Sequence, residues 1–220
     1  MIARELITND VPPIRSSETV EKALNWLDEF KVTHLAVVDG VQYQGLVSED
    51  ILYDAASSDM TIAELNLTLN RPFIYEDRHI YEVMKMVSDL QLSVAPILDK
   101  SDNYLGLTTL PSLMHLISNT ASISEPGSVI VLELNQNDYS LGHLAQIIEG
   151  DDTKILSTYI TSANDSTLME VTIKVNRKNI QGVLQALNRY DYVVNASFSE
   201  IDHQEDMKDR FESLMKYLDM

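Results

Sequence analysis

The first half of the chain repeats one pattern of apolar and polar positions about sixty residues apart. Apolar residues at helical spacing come first, then a short apolar run that ends in Asp39 or Asp99, then a polar turn, a second apolar run and a short helix. The two helical sets are Val20, Ala23, Leu24, Leu27 and Phe30, followed by Ile80, Val83, Met84, Val87 and Leu90. Each copy therefore predicts strand, helix, strand, strand, helix, over residues 1–60 and 61–120.

Residue identities support the repeat. Ile2-Ala3 recurs as Ile62-Ala63, and Gly45-Leu46 recurs as Gly106-Leu107. A repeat of this length is a supersecondary unit, so both the fold and the function should be interpreted as those of a pair.

A different pattern follows a polar stretch at 121–127, which we interpret as a linker. Residues 128–201 predict the order βαββαβ of a ferredoxin-like domain, in which Met169 to Val175 alternate as a half-buried strand does. Ser140 is the expected cap of the first helix. The predicted strands are Val129 to Leu134, Lys154 to Thr161, Leu168 to Val175 and Tyr192 to Phe198, with a turn at 164–166.

The last segment, 202–220, predicts a charged amphipathic helix. Its apolar stripe comprises Met207, Phe211, Leu214, Met215 and Leu218. This helix either packs on its own domain or lies near the interface of a homodimer, and we favour the homodimer. The expected fold class is mixed α/β: two repeats that form a pseudo-two-fold pair, a ferredoxin-like domain and a terminal helix.

The two repeats resemble a tandem of CBS domains, the arrangement called a Bateman module. The resemblance rests on the doubled pattern around "HLAVVDGVQYQGLVSED" and "VAPILDKSDNYLGLTTLPSL" and covers roughly the first 120 residues. It implies a cleft between small sheets that holds an adenosine-containing ligand of the AMP, ATP or S-adenosylmethionine class.

The family's site motif is Gly, two apolar residues, Thr or Ser, two variable residues and Asp, in which the hydroxyl contacts a phosphate and the Asp contacts the ribose. In the first repeat Ser48 matches and Asp50 comes one residue early; in the second, Thr109 matches and Ser112 replaces the Asp. The alternative interpretation is that Asp50 and Ser112 merely begin or cap helices.

The resemblance implies further lining positions near the start of each strand. His34 is either a polar contact or a structural histidine, and Phe73 either stacks on a base or belongs to the core. The implied positions are Val11, Pro12, Thr33, His34, Leu35, Pro72, Phe73, Ser93, Val94 and Ala95.

The segment "LNQNDYSLGHLAQIIEG" resembles the first strand, loop and helix of an ACT domain, through Asp138, Gly142 and Leu144. In ACT domains that bind amino acids, the glycine lets the ligand approach the backbone; alternatively Gly142 only shapes the loop. CBS pairs followed by an ACT-like module occur in small bacterial regulators of the acetoin-utilisation type.

Composition narrows the function classes. A net charge of −18 repels nucleic acid and anionic membrane, so we expect neither as a partner. It also opposes a polyphosphate ligand unless cations such as Arg15, Arg71 or Arg78 gather locally. The chain has no Cys, and its five His show no metal-ligand spacing. We found no phosphate loop, dinucleotide motif or nucleophile elbow, no membrane-length apolar run and no signal-peptide core, and therefore expect a cytoplasmic, non-catalytic protein without an obligatory cofactor.

Three functions stay open on the sequence. The first is a regulatory sensor of an adenosine ligand, favoured by the retained hydroxyls of Ser48 and Thr109. The second is a ligand-independent homodimeric scaffold for an unknown protein partner, favoured by the incomplete motifs. The third is an amino-acid sensor that uses the Gly142 loop.

Overall fold

The apolar repeat folds into two copies of one strand-and-helix pattern, seen in a computed structural model that describes residues 1–65, 70–120, 122–150, 152–162 and 167–199. The first copy contains α1 (Val20–Phe30), β1 (His34–Asp39), β2 (Gln42–Ser48) and α2 (Glu49–Tyr53). Helix α1 begins at Val20 because the Thr19 side chain accepts a hydrogen bond from the Lys22 N–H at 3.3 Å. It ends at Lys31, whose left-handed φ of 54° turns the chain away.

The second copy contains β3 (Ile74–Tyr75), α3 (Ile80–Asp89), β4 (Val94–Leu98), β5 (Tyr104–Thr109) and α4 (Leu110–Thr120). Short 3₁₀ turns at Ala3–Leu6 and Ile62–Leu65 precede the two copies. The chain divides into two compact units between Leu116 and Ile117, and we describe each unit by itself.

The strand predicted to open the first copy is shorter than a regular strand. It reduces to one parallel bridge between Ile14 and Val37, while its counterpart β3 keeps two residues beside β4. Pro12 and Pro13 have no backbone N–H, so this segment cannot continue a hydrogen-bonded ladder. The first unit therefore has a two-stranded sheet, β1-β2, and a three-stranded sheet, β3-β4-β5.

The second unit confirms the ferredoxin-like prediction. Its antiparallel sheet has the order β7-β8-β6-β9, and its elements are β6 (Ser128–Asn135), α5 (Leu141–Glu149), β7 (Ile155–Ser162), β8 (Leu168–Val175), α6 (Gln181–Arg189) and β9 (Val193–Phe198). Ser140 caps α5 as predicted, since its hydroxyl accepts a hydrogen bond from the His143 N–H at 3.3 Å. Val171, Ile173 and Val175 are fully buried, as the predicted alternation of β8 requires, but Thr172, which the alternation places on the wet face, is buried too.

The fold is thus mixed α/β, with a repeated first unit and a ferredoxin-like second unit. The turn predicted at 164–166 and the helix predicted at 202–220 lie outside the described residues. The domain boundaries at 60/61 and 121–127 stay predictions. Within the described part of the chain, no helix combines the length and apolar character needed to cross a membrane.

Candidate ligand clefts

The first residues of each repeat, which we call its lead-in segment, lie on the last strand of the other repeat. The lead-in segments contain Thr8 in the first repeat and Asn70 in the second. The Leu46 N–H donates to the Asn70 carbonyl oxygen at 2.9 Å, and the Thr8 N–H donates to the Leu107 carbonyl oxygen at 2.9 Å. Leu46 and Leu107 occupy equivalent positions of the repeat. This reciprocal exchange forms two related clefts in the first unit, which we call cleft 1 and cleft 2.

Cleft 1 has a volume of about 430 Å³ and combines apolar walls with a few polar groups. A cleft of this size and composition is typical of small-molecule sites. Its lining residues are His34, Leu46, Ser48, Ile51, Asn70, Arg71, Pro72, Leu90 and Leu92.

Arg71 is the cation among these lining residues, and Tyr43 holds its guanidinium in place. Arg71 Nη2 donates to the Tyr43 carbonyl oxygen at 2.8 Å, and the guanidinium carbon lies 5.8 Å from the centre of the Tyr43 ring. The Tyr43 hydroxyl donates to the Pro72 carbonyl oxygen at 2.9 Å, and its ring stacks on Tyr104. Burial raises the pKa of the Tyr43 phenol, so this donor stays protonated.

His34 connects cleft 1 to the second repeat. Its Nδ1 lies 2.9 Å from Thr33 Oγ1 and 3.3 Å from Ser93 Oγ, and it accepts a hydrogen bond from the Ser93 N–H at 3.4 Å. An accepting Nδ1 assigns the neutral tautomer with its proton on Nε2. Burial lowers the pKa of His34, and the nearby Asp50 carboxylate opposes this shift by raising it.

Ser48 has two roles in cleft 1. The residue lines the cleft, and its hydroxyl accepts a hydrogen bond from the Ile51 N–H at 3.4 Å, as the cap of α2. Asp50 is exposed in the first turn of α2 and lies near His34. The motif residues Ser48 and Asp50 therefore both cap or begin a helix and lie at or beside the cleft.

Cleft 2 has a volume of about 460 Å³ and is more apolar. Thr109 caps α4, because its Oγ1 accepts from the Ser112 N–H at 3.3 Å and lies 3.0 Å from Ser112 Oγ. Ser112 lines the cleft, whereas Thr109 is buried. The lining residues are Glu5, Leu6, Ile7, Thr8, Thr108, Pro111, Ser112, His115 and Leu116.

The structure places the predicted site residues in three groups. His34, Ser48 and Pro72 line cleft 1, with Asp50 beside His34, and Ser112 lines cleft 2. Thr33 and Ser93 bond to each other at the junction of the repeats, the Thr33 N–H donating to Ser93 Oγ at 3.0 Å. The remaining predicted residues line neither cleft. Val11, Leu35, Val94 and Ala95 are in the core, and Thr109 is also buried. Pro12 and Phe73 are half-buried, and the Phe73 ring meets the Tyr75 ring edge-to-face.

Several lining residues were missed by the sequence analysis, namely Glu5, Ile7, Thr8, Asn70 and Thr108. Glu5, Ile7, Thr8 and Asn70 belong to the lead-in segments, and Thr108 belongs to β5. The repeat was visible in the sequence, but nothing in its apolar pattern indicates that lead-in segments are exchanged between copies.

In the second unit Asp138 lines a cavity of about 400 Å³. Burial raises the pKa of the Tyr192 phenol, and the Asp138 carboxylate adds to this effect. The cavity is lined by Glu133, Leu134, Asn135, Asp138, Leu168, Tyr190, Asp191, Tyr192 and Val193.

The interpretation that Gly142 shapes a loop is wrong, whereas a role of this glycine beside an amino-acid ligand stays a prediction. Gly142 is the second residue of α5, and a Cβ added to it would meet no atom within 4 Å. The glycine is therefore not required by the backbone there. Among the described residues, no group of three or more His, Asp or Glu side chains is arranged to hold a metal ion.

Comparisons with known proteins give partial similarities. No protein-family model matches the chain. A curated homoserine O-acetyltransferase of Methanobrevibacter ruminantium is 25% identical over 119 residues, which are 54% of this chain and 24% of that protein. The chain thus spans about a quarter of the length of this relative.

Among solved structures, those similar to this chain include CBS domain pair proteins. A CBS domain pair/ACT domain protein of Thermotoga maritima has 20% identity and a TM-score of 0.49, over 54% of this chain and 98% of that one. CBSX2 in complex with AMP has 17% identity and a TM-score of 0.46, over 54% of this chain and 96% of that one.

Proposed function

We propose that the first unit is a regulatory module that binds an adenosine-containing ligand, of the AMP, ATP or S-adenosylmethionine class, in cleft 1. The observation that carries the proposal is the convergence of a guanidinium, a hydroxyl and an imidazole on one apolar-walled cleft. These are Arg71, Ser48 and His34, with the Asp50 carboxylate beside the imidazole.

Each group suits a different part of such a ligand. Arg71 offers charge-assisted N–H donors to a phosphate, and within the described part of the chain its one hydrogen bond is the one to Tyr43. The Ser48 hydroxyl adds a donor, and the Asp50 carboxylate is an acceptor for ribose hydroxyls. Leu46, Ile51 and other apolar walls suit the faces of a purine.

The regulatory part of the proposal follows from the fact that both repeats contribute lining residues to cleft 1. Leu46, Ser48 and Ile51 come from the first repeat, whereas Arg71, Pro72 and Leu92 come from the second. A ligand in cleft 1 contacts both repeats at once, so it stabilises the arrangement in which both walls reach it. This differential affinity is what a sensor requires. We propose a non-catalytic role for the chain, and the homodimer stays a prediction for sedimentation to test.

The test is calorimetric titration of the full chain with AMP, with ATP and S-adenosylmethionine as further probes. Arg71→Gln is expected to weaken AMP binding at least tenfold, which corresponds to about 1.4 kcal/mol. Arg78→Gln is the matched control, because Arg78 makes a long, exposed ion pair with Glu82 at 3.9 Å and lies outside cleft 1. Ser48→Ala provides a second variant that leaves the Arg71–Tyr43 contact intact.

Two results would overturn the proposal. One is AMP affinity unchanged in folded Arg71→Gln and Ser48→Ala proteins. The other is an absence of binding by all three adenosine compounds to the wild-type chain, which would favour the ligand-independent scaffold.

A second candidate function is amino-acid sensing by the second unit. The observation in its favour is that Asp138, which the ACT resemblance implies as a ligand-loop residue, lines the cavity beside Tyr192. Asp138→Asn is expected to abolish any thermal shift caused by an amino acid, and a shift that survives this substitution would exclude the cavity as its site.

A further inference from the structure

We propose that the second unit carries a docking surface for the chain's own C-terminal segment, residues 200–220. This segment lies outside the described residues, and the sequence predicts a charged amphipathic helix over most of it. Two places are open to such a helix, its own domain or the interface of a homodimer. The docking surface is the sheet face opposite α5 and α6, which we call the open face, and its chemistry favours the first place.

The open face carries an apolar patch. Both helices of the second unit pack on the other face of the sheet. Because successive residues of a strand point to opposite faces, Val129 and Val131 of β6 point to the open face together with their cross-strand partners. Tyr159, Val193 and Phe198 lie on this face as well and are 60%, 60% and 63% exposed. The apolar residues of the open face are Val129, Val131, Tyr159, Val193, Ala196 and Phe198. A patch of neighbouring apolar side chains marks a surface that another element covers.

Two carboxylates on the open face need a cation. Glu133 and Glu170 are direct cross-strand partners, so their side chains lie next to each other. Among the described residues neither forms an ion pair, and Glu170 accepts a hydrogen bond from Asn195 Nδ2 at 2.8 Å. Lys174 also lies on this face, but it is paired with Val129, four residues along β8 from Glu170. Since like charges directly opposite each other destabilise a sheet, the face favours an occupant that combines apolar side chains with a cation.

The C-terminal segment has this combination. Its predicted helix carries one apolar stripe, formed by Met207, Phe211, Leu214, Met215 and Leu218. At about 100° per residue, Lys208 and Arg210 are the charged residues closest to the stripe, one on each side, and the acidic residues lie farther round the helix. A helix that seats its stripe on the open face thus presents cations to Glu133 and Glu170 and keeps its own carboxylates in water.

The segment is long enough to reach the whole open face. It follows β9, which is the last strand in the order β7-β8-β6-β9 and therefore lies at the edge of the sheet. The residues from Ser199 to Asp206 span up to about 26 Å when extended, whereas four strands are about 14 Å across. As a helix, the stripe from Met207 to Leu218 is about 17 Å long, which matches the width of the sheet.

The test is hydrogen exchange of the full chain, read by mass spectrometry. A short helix alone is marginal in water, so its backbone amides exchange almost as fast as those of an unfolded chain. Docked on the open face, the amides of residues 207–218 are expected to be protected about tenfold or more. Phe198→Ser removes an exposed ring from the face and is expected to reduce this protection about fivefold or more. Unchanged exchange in β8 shows that the sheet itself stays folded.

Two matched controls isolate the contact. Leu141→Ser removes an exposed apolar side chain from α5, on the other side of the sheet, and should leave the protection of residues 207–218 unchanged. The double variant Lys208→Gln with Arg210→Gln should lose protection, whereas Lys216→Gln, on the far side of the predicted helix from the stripe, should not.

Mixing two variants distinguishes docking on the same chain from docking on a second copy. The Phe198→Ser chain keeps an intact segment, and a Phe211→Ser chain keeps an intact open face. Protection of the segment in Phe198→Ser is expected to stay low in an equimolar mixture, and protection restored by mixing overturns the inference in favour of an exchange between copies. An unprotected segment in the wild-type chain, or an equal loss in Leu141→Ser and Phe198→Ser, overturns docking on the open face altogether.

Discussion

Tyr43→Phe should test whether one hydroxyl holds the wall of cleft 1 in place. The substitution removes the 2.9 Å hydrogen bond to the Pro72 carbonyl oxygen but keeps the ring that stacks on Tyr104 and lies beside the Arg71 guanidinium. The Tyr43 residue is 2% exposed, so water has little access to replace the lost donor. A buried acceptor left without its donor costs about 1–3 kcal/mol.

The expected loss in unfolding free energy of the first unit is therefore about 1.5 kcal/mol. At an m-value of about 1.5 kcal/mol/M, the urea midpoint falls by about 1 M. Trp26 is the single tryptophan of the chain and packs against the core of the first unit, so its fluorescence reports the unfolding of that unit. AMP affinity is expected to fall as well, because Pro72 lines cleft 1.

Tyr104→Phe is the matched control. The Tyr104 ring belongs to the same stacked pair, but among the described residues its hydroxyl forms no hydrogen bond. Its removal should change the unfolding free energy by less than about 0.5 kcal/mol. Equal losses in the two variants would refute the argument, since they would show that the Tyr43–Pro72 bond contributes nothing beyond the stacked rings.

The remaining predictions concern pH and glycine. Because burial lowers the pKa of His34, the unfolded state binds its proton more readily; stability is complete above the ordinary pKa of about 6.5 and is lost as the pH falls through the lowered one. Urea unfolding followed by Trp fluorescence should show that the unfolding free energy falls less between pH 7 and pH 5.5 in His34→Asn than in the wild-type chain. An equal fall in the two proteins would contradict this prediction. Gly127→Ala should destabilise the second unit by about 3 kcal/mol or more, because its Cβ would collide with the Val175 carbonyl oxygen at a φ of +152°. Gly142→Ala should stabilise α5 by up to about 1 kcal/mol, because the added Cβ meets no atom within 4 Å. Hydrogen exchange of the backbone amides in β8 and α5 measures both effects. Equal exchange rates in the two variants would refute both predictions.

Local patterns were enough to predict most of the elements. The strand β8 and the helical spacing in α1 and α3 are properties of a few consecutive residues, and the structure confirms these elements, although Thr172 interrupts the predicted alternation because it is buried. The opening strand of the first copy is reduced to one bridge because Pro12 permits extended backbone but not a hydrogen-bonded ladder. The candidate site was less accessible, since Asn70 reaches Leu46 and Thr8 reaches Leu107 only through the tertiary pairing of the two repeats. Thr8 and Leu107 lie about a hundred residues apart in the sequence, so no local pattern can indicate that they are paired.

The repeat also misleads in one respect, because it suggests two equal sites. His34 in the first copy corresponds to Val94 in the second, and Val94 is fully buried while His34 lines cleft 1. Val47 in the first copy corresponds to Thr108, which brings an unpartnered hydroxyl to cleft 2 and none to cleft 1. These two substitutions place an imidazole at cleft 1 and a hydroxyl at cleft 2, while the cation of cleft 1, Arg71, and the carboxylate of cleft 2, Glu5, come from further differences between the copies. The backbone fixes the shape of each cleft, whereas these side chains fix its polarity, so the two clefts differ in chemistry although the two copies fold alike.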